Sequence, residues 1–111
     1  MADCIFCKIV AGEIPSKKVF ENERVLAFED INPKAPTHIL VIPKKHVENV
    51  SDGQADPALL GEIVAQCAAV ARRVGLSDFR LVANNGKEAG QLVFHLHFHL
   101  LGGRRMTWPP G

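Results

Sequence analysis

Three of the five histidines in this 111-residue chain fall within five positions, His95, His97 and His99. Of all side chains, imidazole titrates closest to neutrality, which suits it to proton transfer and nucleophilic attack. It is also a common metal ligand. On a strand, side chains alternate between faces, so the three rings would share one face, each about 6.6 Å from the next. Leu92, Phe94, Leu96, Phe98 and Leu100 would share the other, an unbroken apolar face. Ring nitrogens need partners when buried, so three such rings opposite a core face point to a site. The residues alone leave two chemistries open, a nucleophilic and proton-transfer centre or an open metal triad. The run Asn84-Asn85-Gly86-Lys87-Glu88-Ala89-Gly90 leads into this segment. Glycines let backbone N–H groups approach an anion closely, so a Gly/Asn turn beside imidazoles makes a phosphate site with a nucleophile next to it.

The rest of the sequence must position this array. Gln91 to Leu101 reads as one long final strand, and Phe79 to Ala83 as the strand before it. Thr37 to Ile42 is β-branched and apolar, a central strand that Pro43 ends. Lys18 to Glu21 and Arg24 to Glu29 read as two strands joined at Asn22-Glu23. Asp30 to Pro36 is a loop broken by two prolines. Asp56-Pro57 supplies an N-cap and a first-turn proline for a long helix. Leu60, Ile63, Val64, Cys67, Val70, Ala71 and Val74 form its apolar stripe, and Gly75 stops it. Cys67 on that stripe reads as a core thiol. Asp3 would cap a short first helix from Cys4 to Ala11. Sequential strands without intervening helices favour an antiparallel sheet. The fold class is therefore α+β, a mainly antiparallel sheet of about five strands with one long and one short helix.

Composition bounds the function. The length suits one domain, 1–111, with a C-terminal tail at about 104–111. Thirteen Lys and Arg against twelve Asp and Glu give a net charge of +1. That balance carries no electrostatic footprint for a nucleic-acid duplex or an anionic membrane. No stretch approaches a membrane span, and the N-terminal residues Met1 to Lys8 lack the charged and apolar regions of a secretory leader. Three cysteines without a leader suggest a reducing compartment, and a cytoplasmic location is expected.

His95-Leu96-His97-Phe98-His99-Leu100-Leu101 resembles the histidine triad (HIT) motif, His-x-His-x-His followed by two apolar residues. The likeness extends along the chain: Gly12-Glu13-Ile14-Pro15, Asp30-Ile31, Ala35-Pro36-Thr37-His38, Val41-Ile42-Pro43-Lys44, Gly90-Gln91 and Trp108-Pro109-Pro110-Gly111 stand in matching order. The chain is similar to the histidine triad nucleotide-binding proteins, the Hint branch of that superfamily. The resemblance implies a HIT-like fold and a homodimer with a joined sheet. It implies a purine nucleoside phosphoramidase, cleaving the P–N bond of adenosine 5′-phosphoramidate-type substrates through a nucleotidyl-histidine. In that reading His97 is the nucleophile, His99 contacts the phosphate or leaving group, and His38 assists protonation and positioning. Asp30 would bind the ribose hydroxyls, and Ile5, Phe6, Ile9, Phe28, Ile31 and Leu40 the base. Asn84 and Gln91 would stand near the phosphate. A second imidazole, protonated near neutrality, would offset phosphoryl charge. Leu92 stands where Hint relatives often carry a hydroxyl residue, so one phosphate or leaving-group contact is expected to be missing.

Cys4, Cys7, His46 and His95 match the ligand positions of the zinc-binding subgroup of the same superfamily. Two thiolates and two imidazoles complete a tetrahedral zinc set, which would be structural because no position stays open for substrate. His95 would then belong to the metal, leaving His97 and His99 for chemistry. Two other functions remain beside the phosphoramidase: a nucleotide-binding regulatory module with incidental hydrolysis, and an enzyme using the three clustered histidines as an open metal triad.

Overall fold

Residues 25–29 and 37–43 are apolar at almost every position, and a strand of that kind must be covered on both faces. The computed structural model, which describes residues 3–111, shows how this is done. Met1 and Ala2, included in the expected domain and in the stretch read for a leader, lie outside the described residues. The strands β1 (Lys18–Glu21), β2 (Val25–Glu29), β3 (Thr37–Pro43), β4 (Phe79–Val82) and β5 (Phe98–Gly102) form one sheet in the order β1-β2-β3-β5-β4. Every neighbouring pair is antiparallel. Two helices, α1 (Ile5–Val10) and α2 (Pro57–Arg73), complete the α+β fold.

Alternation along β2 and β3 sorts the core into two layers. Val25, Ala27, Ile39 and Val41 pack with Ile63, Cys67, Val70 and Ala71 of α2. Leu26, Phe28, Leu40 and Ile42 pack with Phe6 and Ile9 of α1 on the other face. Complete burial of each such side chain contributes about 1.5–3 kcal/mol, so the long helix and the central strands hold the frame. Cys67 is fully buried there, and burial pushes its thiol up to about 12, as expected of an inert core sulfur. Val64 and Val74, read as part of the apolar stripe, instead stand on the exposed side of α2.

Two expectations are corrected. Cys4, not Asp3, caps α1: its Sγ accepts the Cys7 N–H at 3.3 Å. The last strand is also much shorter than Gln91 to Leu101. Its pairing with β3 runs from Thr37 opposite Gly102 to Val41 opposite Phe98 and stops. Pro43 has no N–H to extend that ladder. The segment before Phe98 is instead fastened elsewhere, through the Leu96 N–H to the Val47 carbonyl at 2.7 Å. Leu96 and Leu100 are buried, but Leu92 is 89% and Phe94 44% exposed, so the apolar face is not continuous. Among the described residues no helix is long and apolar enough to cross a membrane.

Candidate functional site

The two layers leave a cavity of about 470 Å³ on the α1 face of the sheet. That is within the usual size of small-molecule sites. Phe6, Ile9, Phe28 and Leu40 form buried apolar wall, while Ile5 and Ile31 stand at the rim, 45% and 90% exposed. His38, His97, His99, Asp30 and Asn84 supply the polar lining. β3 brings in His38 and β5 brings in His99, which sits opposite Leu40 in the ladder. His97 precedes β5 and points to the same cavity. Its ring centroid lies 5.0 Å from that of His99, and His38 lies 5.1 Å from His99.

Hydrogen bonds fix the proton on each ring. His97 Nδ1–H donates to the carbonyl of His95 at 2.7 Å, so Nε2 keeps its lone pair. The Lys34 N–H donates to His38 Nδ1 at 3.0 Å, so the His38 proton is on Nε2. That Nε2–H faces His99 Nδ1 at 2.9 Å, with the Asp30 carboxylate 3.4 Å away. His99 Nδ1 therefore accepts, and His99 carries its proton on Nε2. The constellation is one imidazole with a free lone pair beside another with a free N–H. Asp30, His38 and His99 also bring donor atoms within 4.8 Å of one another, as the direct contact between the two imidazoles requires.

Burial keeps these rings neutral. Desolvation lowers His97 and His38, against the opposing pull of the His95 carbonyl on one and Asp30 on the other. Desolvation, then His97 and His38, pushes His99 down to about 4. The expectation of an imidazole protonated near neutrality is thus not met in the free protein. An anionic group beside His99 favours its charged form and opposes that shift.

His95 has turned away from the other two. Its Nε2–H donates to the Pro43 carbonyl at 2.7 Å, leaving Nδ1 free, and Nδ1 lies 3.4 Å from Cys4 Sγ and 3.6 Å from Cys7 Sγ. His46 Nδ1 lies 3.2 Å from Cys7 Sγ. The donor atoms of Cys4, Cys7, His46 and His95 all fall within 4.8 Å of one another. A backbone carbonyl holding the outer nitrogen of a ligating histidine is what a metal site requires of its second layer. Two sulfurs and two aimed imidazole nitrogens fit tetrahedral zinc. Burial, and Cys4 beside it, raises the Cys7 thiol, and a bound dication would reverse that by stabilising the thiolate. The three clustered histidines therefore do not converge on a single point, which removes the geometry an open triad would need.

Gln91 is placed differently from the other expected site residues. It is 2% exposed and does not line the cavity. Its Oε1 accepts from the Gly86 N–H at 2.8 Å and Asn49 Nδ2 at 3.3 Å, and its Nε2 donates to the carbonyls of Glu48 at 2.6 Å and Val93 at 3.1 Å. It staples the 84–90 loop to the 46–49 segment. Gly90 turns that loop at φ +95°, a conformation that glycine adopts freely, and itself lines the cavity. Sequence reasoning missed Ile14, Lys34, Ser16 and Val93. Ile14 and Val93 are isolated apolar residues with no periodic signal. Lys34 contributes its backbone, which no side-chain pattern reports. Ser16 lines the cavity, and its Oγ is buried without a hydrogen-bond partner among the described residues. Leu92, at the position where a hydroxyl residue is common in Hint relatives, stands at the cavity rim.

Comparison with known proteins agrees with this arrangement. The family profile described as HIT domain matches residues 11–106. A 14 kDa zinc-binding protein of Zea mays is 50% identical, with 96% of this chain and 87% of that protein covered. Adenylylsulfatase HINT1 of Arabidopsis thaliana is 46% identical, covering 96% of this chain and 76% of that one. Among solved structures, a HIT family hydrolase from Legionella pneumophila superposes with a TM-score of 0.94 at 52% identity, covering 98% of this chain and 100% of the other. With the profile spanning most of its length and two of the alternating histidines, His97 and His99, lining the cavity, this chain belongs to the HIT domain family.

Proposed function

We propose that the chain is a nucleotidyl hydrolase, a purine nucleoside phosphoramidase that cleaves the P–N bond of adenosine 5′-phosphoramidate-type substrates. The observation that carries this reading is the 2.7 Å bond from His97 Nδ1–H to the His95 carbonyl, which leaves Nε2 as a neutral nucleophile in the cavity. The base lies between Phe6, Ile9, Phe28 and Leu40, with Ile5 and Ile31 at the rim. Asp30 reaches the ribose hydroxyls, and Asn84 with the Gly90 loop faces the phosphate. In the first displacement His97 Nε2 bonds to phosphorus and the P–N bond breaks, the nitrogen leaving with one added proton. In the second, water bonds to phosphorus, the Nε2–P bond breaks and one proton returns. His99 Nε2–H, on a neutral ring, donates a hydrogen bond to the phosphoryl oxygen, and His38 holds His99 in that tautomer. The proton that the departing nitrogen takes is drawn from solvent, and the one released by the attacking water goes back to it. A relative named adenylylsulfatase and a neighbour titled hydrolase support this class of chemistry.

Zinc completes the reading. Cys4, Cys7, His46 and His95 would hold it, and its role would be to tie α1 to the segment before β5. A homodimer with a joined sheet is also part of the proposal: β4 is a sheet edge, and Phe79 on it is a half-exposed aromatic. The test is steady-state turnover of adenosine 5′-phosphoramidate by the protein and by His97→Asn. A loss of at least about 10³-fold with nucleotide affinity retained supports nucleophilic catalysis. Full activity in the variant refutes it, and no turnover by either protein favours a nucleotide-binding regulatory module.

A further inference from the structure

The metal cluster and the cavity share two pieces of chain. α1 begins at Cys4, carries Cys7, and places Ile5, Phe6 and Ile9 in the cavity wall. The segment before β5 carries His95, whose ring faces the sulfurs and whose carbonyl holds His97 Nδ1. Phe6 bridges the two: its ring meets His95 edge-on at 5.9 Å and His97 at 5.1 Å. Moreover, α1 is only six residues long, too short to persist without tertiary anchors. A ligand that fixes Cys4, Cys7 and His95 therefore also fixes one wall of the cavity and the orientation of its nucleophile.

We propose that the Cys4/Cys7/His46/His95 cluster is thermodynamically coupled to the nucleotide cavity, so that zinc and a nucleoside monophosphate each raise the affinity for the other. This rests on the zinc and nucleotide readings above. The route is physical: zinc pins α1 and His95, α1 presents Phe6, and the His95 carbonyl sets the free lone pair of His97. A nucleotide seated against Phe6 and His97 in turn restrains the elements that carry three of the four metal ligands. Linkage requires the factor to be equal in both directions.

The experiment measures zinc affinity by competition with a chromophoric chelator, with and without saturating AMP, corrected for the affinity of AMP itself for zinc. The expected result is tightening of zinc by at least about fivefold. Calorimetry of AMP binding to zinc-loaded and zinc-free protein should return the same factor. Phe6→Leu is measured in the zinc-loaded state, which keeps the test independent of how the zinc-free protein folds. It should still bind one zinc, and AMP should slow zinc extraction by EDTA far less than in the parent. If AMP and zinc both bind and neither alters the other, the coupling is overturned while the functional reading stands. If AMP does not bind, or zinc does not, the corresponding reading fails and the coupling with it.

Discussion

Replacing Gln91 with leucine decides between two roles for one residue. As a phosphate contact, its loss would weaken nucleotide binding and spare the fold. The structure assigns it the opposite role. Its amide serves four partners, the Gly86 N–H, Asn49 Nδ2 and the carbonyls of Glu48 and Val93, from a position 2% exposed. Each bond contributes about 1 kcal/mol net, and a partner left buried and unpaired costs about 1–3 kcal/mol. Leucine fills a similar volume and recovers part of this by apolar burial, so the expected loss is about 3 kcal/mol. An unfolding entropy near 2.1 cal/mol/K per residue over 111 residues converts that to a fall in Tm of about 13 °C. The assay is thermal and urea unfolding of the zinc-loaded protein by circular dichroism, with AMP binding measured by calorimetry well below Tm. A loss of stability under about 1 kcal/mol together with abolished AMP binding would refute the staple and restore the phosphate role.

Other expectations follow from single contacts. A Cβ at Gly102 would stand 2.6 Å from Leu76 Cδ1 and 2.9 Å from Cδ2, so Gly102→Ala should destabilise by about 1–3 kcal/mol in urea; unchanged stability would mean Leu76 swings aside freely. His99 is held at about 4 in the fold, while an unfolded histidine titrates near 6.5. The unfolded chain thus binds more protons between those values, and stability that is complete above about pH 6.5 is lost as pH falls toward 4. Partial exposure of the ring screens the effect, leaving about 1–2 kcal/mol of difference between pH 7.5 and 4.5. Urea titrations of the protein and of His99→Leu should show the slope flattening in the variant. Leu92→Ser places a hydroxyl at the cavity rim; about 3–10-fold higher kcat/KM on a poorly activated amine is expected with stability unchanged, and no gain would show that position 92 does not reach the reacting group.

Much of this protein was legible before its structure, for identifiable reasons. β2, β3 and α2 announced themselves through apolar runs, Pro43, the Asp56 cap and Gly75, signals that are local and physically strong. The antiparallel pairing of β1, β2 and β3 follows from strands joined directly, whereas the insertion of β5 between β3 and β4, with α2 in the β3–β4 connection, has no local signal. The division of labour among the histidines needed the resemblance to the zinc-binding subgroup, because alternation alone predicts three rings on one face. His95 escapes that face only because Pro43 ends the ladder and then offers its carbonyl to the ring. Cavity-lining roles of Lys34 and Val93 could not be read, since one acts through its backbone and the other is fixed by contacts distant in sequence. Gln91 shows the same limit: the family resemblance implied a place near the phosphate, but four hydrogen-bond partners hold its amide in the frame beside the cavity. The charge state of His99 was also out of reach, being set by burial and by two imidazoles from other parts of the chain.

The central claim is that His97 Nε2 bonds to phosphorus. Rapid acid-free quench of the protein during turnover of adenosine 5′-phosphoramidate, followed by mass spectrometry of the intact chain and its peptides, tests it directly. The account predicts a transient adenylyl adduct mapped to His97 and absent from His97→Asn. Turnover that proceeds with the adduct on another residue, or with no adduct at any quench time shorter than one catalytic cycle, would contradict it.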